Sequence, residues 1–423
     1  MTILQLASLL IVLAGAFGAI NYLFLKLPGA IGILVVALAA SIGVMVLDHF
    51  LPGIGASAII RETVQDFEFS AALLEGMLGL LLFAGAMHVK LSDLHGEWPV
   101  VLLMATLGVA LSTAVVGVGF SWLTGMPLMV ALVFGALISP TDPVAVLGVL
   151  RDASLPRTLE TKIAGESLFN DGVGYVVYLV LVGLAFGQAE GHGGGHGTGE
   201  ASQLETAARL FAQEALGGAL LGALLGWITF SVMRRIDDYA LEVLITLGLA
   251  FGGYQLAVAL HLSGPIFAVV AGLFIGDVGM KYAMCEETRR YVGAFWVMVD
   301  EILNAVLFLM IGVEVFALTF DIDTLKAGAF AIGLALAARL IAVAVPILIL
   351  RPFRRFSRGV IPIMTWGGLK GGISVALALA LPESEWKPLI LTSTYIVVIF
   401  SIIVQGLTIG RLATRLGREP ELV

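Results

Sequence analysis

Residues 138–143 read Ile138-Ser139-Pro140-Thr141-Asp142-Pro143, in the middle of a long apolar stretch. Each of the two prolines removes a helical N–H donor and disfavours helical geometry at the residue before it. A helix buried in a low-dielectric medium cannot absorb both without breaking, and a break strands N–H and C=O groups. Asp142 followed by Pro143 suits an N-cap and first helical position. The stretch predicts a half-helix, an extended crossing near Thr141, and a second half-helix starting at Asp142 or Pro143.

The surrounding medium follows from composition. The chain has 423 residues, 59% hydrophobic and 13% charged, with a mean hydropathy of +1.02. A soluble domain has roughly half its residues apolar and about a quarter charged, so the solvent here is lipid. Thirteen hydrophobic segments are expected, near 3–25, 28–47, 67–88, 97–122, 127–150, 158–187, 205–233, 239–260, 264–281, 290–318, 326–350, 359–381 and 388–410. A short interfacial helix is expected within 51–66. The N-terminus lacks a basic region and cleavage site and reads as the first span. The formal charge of −8 says little, because orientation follows loop Lys and Arg. With the C-terminus cytoplasmic, that side collects seventeen of the 23 Lys and Arg, and the opposite side holds only Arg61, Arg209, Lys326 and Lys387. This predicts N-terminus outside and C-terminus inside. Arg339 and Lys370 fall within spans. One cysteine, Cys285, excludes an intrachain disulfide. Loop 188–204 is glycine-rich and reads as flexible; His192 and His196 in it could bind a metal or sense pH, or serve no function.

Span twelve carries a second break, Trp366-Gly367-Gly368-Leu369-Lys370-Gly371-Gly372. It lies seven spans from the first, so the two interrupted helices have inverted topology. Such a pair points to an alternating-access transporter with its site where the breaks meet. Asp142 can compensate positive half-helix N-termini, and Lys370 negative C-termini.

Span six contains Gly165-Glu166-Ser167-Leu168-Phe169-Asn170-Asp171-Gly172. Glu166 and Asn170 share one face; Ser167 and Asp171 share the next. Carboxylates inside a membrane helix mark function. Asp171, Ser167 and carbonyls freed at the span-five break would form an oxygen-only pocket, which suits hard cations. The absence of a carboxylate-dense cage or softer ligands favours Na⁺, Li⁺ or K⁺. A carboxylate withdrawn from water can hold a proton or a metal ion, but hardly both. If only occupied forms cross the membrane, cation and proton exchange, with Asp171 as the exchanging group and one-for-one electroneutral stoichiometry. Glu166 is expected to form a structural ion pair with Lys370, since an isolated buried charge is costly.

Other charges carry open alternatives. Asp300 or Glu301 in span ten could pair with Arg339 or serve pH sensing or proton access. Glu75 could line a funnel to the site or face a dimer cavity. The histidines lie near span ends or in the 188–204 loop, off the face of Asp171, so a histidine relay is not expected. No HExxH and no Ser/His pair at depth suggests an enzyme, and symmetric channel filters do not match inverted breaks within one chain. No cofactor and no nucleic-acid partner are expected.

Four ordered stretches resemble the NhaP-type and NHE-like branch of cation:proton antiporters. They are Ser139-Pro140-Thr141-Asp142-Pro143-Val144-Ala145-Val146, Glu166 to Gly172, Ser263-Gly264-Pro265 with Val269-Val270-Ala271-Gly272-Leu273, and Gly367-Gly368-Leu369-Lys370-Gly371-Gly372-Ile373-Ser374. The resemblance spans the transmembrane chain. It implies an all-α polytopic protein of about thirteen helices with an NhaA-like antiporter fold, exchanging Na⁺ or Li⁺, or alternatively K⁺, for H⁺. It implies a homodimer in the inner membrane, with a mobile core near 67–187 and 290–381 and a dimerisation part near 1–50, 205–281 and 388–410. Implied cation ligands are the Thr141 main chain, Asp142, Ser167 and Asp171, with Asn170 bracing the site and Glu166 as an ion-pair acid. The glycine-rich motif carries Lys370 where the family usually carries arginine, and Ala84 stands where some members carry a third-span acid. The short tail after Arg411 leads to the expectation that the regulatory domain of eukaryotic relatives is absent.

Overall fold

The computed structural model describes residues 3–51, 76–142, 146, 157–187, 200–318, 321–357 and 359–416, and among these no strand occurs. The helices are α1 (Ile3–Ile20), α2 (Gly29–Phe50), α3 (Leu78–Met87), α4 (Leu91–Thr124), α5 (Leu128–Ile138), α6 (Arg157–Phe186), α7 (Glu200–Met233), α8 (Tyr239–Ala259), α9 (Gly264–Tyr282), α10 (Glu286–Val313), α11 (Ile322–Leu350), α12 (Val360–Trp366), α13 (Gly372–Leu379) and α14 (Lys387–Leu416). Ten helices among the described residues are long and apolar enough to cross a membrane. The other expected spans are present as shorter pieces. Helix α3 is the described end of span three, α5 stops at the first break, and α12 and α13 flank the second. Glu75, residues 52–66, residues 188–199 of the histidine loop and most of the second half of span five lie outside the described residues, while residues 200–204, expected in that loop, belong to α7.

Helix ends follow local chemistry. Asp238 caps α8, its carboxylate accepting from Ala240 N and Leu241 N at 2.9 and 3.0 Å. Ser263 Oγ accepts from Ile266 N at the start of α9, where Pro265 occupies the first turn. Gly125 ends α4 in the left-handed region at φ 73°.

The helices pack as two groups. Helices α1, α2, α3, α7, α8, α9 and α10 pack mainly on one another; α4, α5, α6, α11, α12, α13 and α14 form the second group. They meet chiefly where α6 packs on α7 and α9, and also where α10 packs on α13 and α2 on α14. This differs from the boundaries expected above. Span three and span ten belong with the first group, because Phe83 and Trp296 pack against each other and α10 runs along α2. Span thirteen belongs with the second, because α14 packs on α11 and α13.

Truncating the α8 cap, Asp238→Ala, removes two hydrogen bonds to orphan N–H groups. It should lower stability by about 1 kcal/mol, seen as a small drop in melting temperature of the detergent-purified protein.

Candidate functional site

The two breaks cross and are joined by main chain. Helix α5 ends at Ile138, and residues 140–142 run non-helically. Asp142 N donates to Leu369 O at 2.8 Å. Lys370 Nζ donates to Ser139 O at 2.9 Å and Pro140 O at 3.2 Å, so the lysine sits on the carbonyl end of half-helix α5, where the dipole is negative. Lys370 N donates to Ser401 Oγ at 2.9 Å, and Gln405 Nε2 donates to Trp366 O at 3.0 Å. Helix α14 thus supplies polar side chains to the second break. The crossing requires glycine at one position in particular, since a Cβ on Gly371 would lie 2.5 Å from Asp142 Cβ.

Helix α6 holds the first break from the other side. Thr141 N donates to Asn170 Oδ1 at 3.3 Å, and Asn170 Nδ2 donates to Thr141 Oγ1 at 2.8 Å. Asn170 therefore grips Thr141 by both main chain and hydroxyl. Ser167 Oγ lies 3.0 Å from Thr141 Oγ1, so its hydroxyl engages Thr141 rather than lining the cavity. One turn beyond Ser167, Asp171 is 5% exposed, and its Oδ1 has no hydrogen-bond partner.

Asp171 opens into a cavity of about 60 Å³, room for a few water molecules. Thr141, Asp142 and Asp171 line it from the second helix group, together with Gly371, Gly372 and Ser374. Asp300, Asn304 and Leu307 of α10 and Leu81, Leu82 and Gly85 of α3 line it from the first group. Among the described residues, no three His, Cys, Asp or Glu side chains converge closely enough to hold a metal ion together. Carboxyl and hydroxyl groups of Thr141, Asp142, Asp171, Asp300 and Ser374 are among the lining side chains, and oxygen donors suit a hard cation of low charge that keeps some of its water.

The expected Glu166–Lys370 pair does not form. Glu166 is paired with Arg339 of α11, whose Nη2 donates to Glu166 Oε2 at 2.8 Å while Nη1 donates to Oε1. Arg339 Nε and Nη2 also donate to Met364 O, at 3.2 and 3.1 Å. The planar guanidinium fork matches a carboxylate with two parallel bonds, and the lysine point charge is left for two carbonyls. The same arrangement overturns the expected pairing of Arg339 with Asp300 or Glu301. Arg339 lies in the second helix group, whereas α10 belongs to the first. Asp300 lines the cavity, and Glu301 is exposed, away from it.

Residue identity carried signals that spacing did not resolve. Arg339 was visible as a buried cation in an apolar span. Gly368 leaves the space it fills, because a Cβ there would run into Arg339 Nε. The polar atoms of Ser401 and Gln405 at the second break had no sequence signal beyond being polar residues in a span.

Comparisons with known proteins show what the chain is similar to. A family model described as "Sodium/hydrogen exchanger, transmembrane" matches residues 4–415. The chain is 47% identical to the Na(+)/H(+) antiporter NhaP of Pseudomonas aeruginosa, over 98% of this chain and 97% of that protein. It is 34% identical to the Na(+)/H(+) antiporter NhaH of Halobacillus dabanensis, covering 84% of this chain and 86% of that one. The solved structure of the sodium proton antiporter MjNhaP1 from Methanocaldococcus jannaschii at pH 8 superposes with a TM-score of 0.76 at 19% identity, covering 98% and 99% of the two chains. At that identity the likeness speaks for the fold alone.

Removing one member of the buried pair strands the other charge. Glu166→Gln or Arg339→Gln should each cost about 3–5 kcal/mol, read as loss of the folded dodecylmaltoside-extracted species by fluorescence size-exclusion. The double substitution should recover part of it, since no bare charge remains.

Proposed function

The chain belongs to the sodium/hydrogen exchanger family, and from that premise we propose that it exchanges Na⁺ or Li⁺ for H⁺ across the membrane by alternating access. The observation that carries this is the Asp171 carboxylate: buried in α6, with Oδ1 unpartnered, facing a small cavity at the crossing of two interrupted helices. A carboxylate there is filled by either a proton or a cation. Thr141, Asp142 and cavity water supply further oxygens to the ion. Asn170 and Ser167 act on Thr141 and hold the crossing in shape. Lys370 neutralises the carbonyl end of α5, and Glu166 with Arg339 ties α6 to α11.

Exchange needs the site to face each side in turn. The ligating residues come from the second helix group, and the largely apolar wall opposite them, with Asp300 and Asn304 in it, from the first. Relative movement of the groups would re-expose the pocket without remaking its ligands. In our reading the second group moves, while the first remains in place and carries the contact between two copies of the chain. One titrating carboxylate competing for one ion makes exchange one-for-one and electroneutral. The Lys and Arg asymmetry supports a cell inner-membrane orientation with the N-terminus outside and the C-terminus cytoplasmic.

In everted vesicles energised to an acidic lumen, adding Na⁺ or Li⁺ should dissipate the pH gradient, and Asp171→Asn should abolish the response. A larger response to K⁺ would assign K⁺ as the preferred ion. Retained dissipation in Asp171→Asn would remove the proposed carrier.

In proteoliposomes, an imposed membrane potential should leave the exchange rate unchanged. A rate that follows voltage would contradict one-for-one stoichiometry.

A further inference from the structure

The cavity has acidic side chains on both of its faces. Asp142 and Asp171 stand on the second helix group, and Asp300 lines the opposite wall from α10 of the first. Asp300 is held in place: Asn304, one turn further on and 4% exposed, donates Nδ2 to Asp300 Oδ1 at 3.0 Å and to Asp300 O at 2.8 Å. A side-chain amide spent in this way orients the carboxyl group rather than neutralising it. The walls between the two faces are apolar, contributed by Leu81, Leu82, Leu168 and Leu307. Low-dielectric walls around like-signed charges focus the field and concentrate the counter-ion.

We propose that Asp300, oriented by Asn304, is a docking carboxylate for the incoming hydrated monovalent cation and sets the apparent cation affinity. This rests on the antiporter function proposed above and adds a residue to its site. The three aspartates do not converge into one cage. Asp300 therefore does not share the ion at close range with the other two in this arrangement. It attracts the ion while water still surrounds it, and the ion passes to Asp171 and Asp142 as that water is shed. A cage of three carboxylates would favour a divalent ion, whereas successive single carboxylates suit a monovalent one. Because Asp300 belongs to the other helix group, it meets the ion only while the pocket stands opposite it.

The test uses the full-length protein in everted vesicles, with Na⁺ and Li⁺ titrations of pH-gradient dissipation. Asp300→Asn should raise KM by about fivefold to tenfold, the size of one charge's attraction through a partly hydrated space, with a smaller change in maximal rate. Asp300→Glu, which keeps the charge, should restore most of the loss. Asn304→Ala, which keeps the charge but frees it, should fall between. An unchanged KM in Asp300→Asn, or an equal rise in Asp300→Glu, overturns the proposal. A second measurement stands apart from transport: the Li⁺ concentration giving half-maximal thermal stabilisation of the purified protein. It should rise in Asp300→Asn, and an unchanged value also overturns docking. If wild-type vesicles show no exchange with Na⁺, Li⁺ or K⁺, the antiporter function fails, while the Li⁺ stabilisation series still decides whether Asp300 attracts the cation.

Discussion

Lipid offers no hydrogen bonds, so a helix can be interrupted inside a membrane only if the protein itself receives the freed backbone groups. The rest of this structure is organised around that requirement. Ser139 and Pro140 carbonyls are received by Lys370, Thr141 N by Asn170, Asp142 N by Leu369 O, Lys370 N by Ser401 and Trp366 O by Gln405. The crossing is therefore a braced structure drawn from four different spans. With these backbone groups received, the Asp171 carboxylate keeps an unpartnered Oδ1, which on the proposed function meets the ion.

The two buried cations divide the electrostatic work by shape. A guanidinium can satisfy a carboxylate with two parallel bonds and still reach a carbonyl, and Arg339 does both, on Glu166 and Met364. An ammonium is compact, and Lys370 fits between two carbonyls that converge at the end of a half-helix. Exchanging these roles would leave Glu166 with a single-point partner and force a planar group into the crossing, where Gly371 already touches Asp142. With Glu166 neutralised by a dedicated partner, its charge does not compete with the cavity carboxylates for a cation.

Much of this was legible in the sequence because it is written in backbone chemistry. Pro140, Pro143 and the run Gly367 to Gly372 state where helices fail, whatever surrounds them. The placement of Glu166, Asn170 and Asp171 on α6 follows from helical periodicity alone. Pairing was not legible. Whether Glu166 meets Lys370 or Arg339 depends on how α11 is rotated and how far it stands from α6, and two buried cations give the same signal in one dimension. The grouping of span three and span ten with the first bundle is likewise a property of packing between distant segments, with no local pattern to announce it. Ser167 shows the same limit at atomic scale. Its face was readable, but the choice of its hydroxyl between cavity and Thr141 was fixed by where the break placed that threonine.

The distribution of donors across the two helix groups constrains how a cation can be carried. Asn170 ties Thr141 to α6, the helix that carries Asp171, and Asp142 N is tied to Leu369 O, so on the proposed mechanism the three residues would travel together. The wall facing them is largely apolar and makes few demands on the ion, apart from the carboxylate at Asp300. A slide of one group past the other then costs little in broken polar contacts, because the bonds that define the pocket lie within the second group. An empty pocket is different. There the deprotonated Asp171 carboxylate has an Oδ1 without a hydrogen-bond partner, and dragging that charge along a largely apolar wall would carry a desolvation penalty. On the proposed mechanism, occupancy by either a cation or a proton would remove the penalty, and coupling of the two fluxes would follow from that asymmetry.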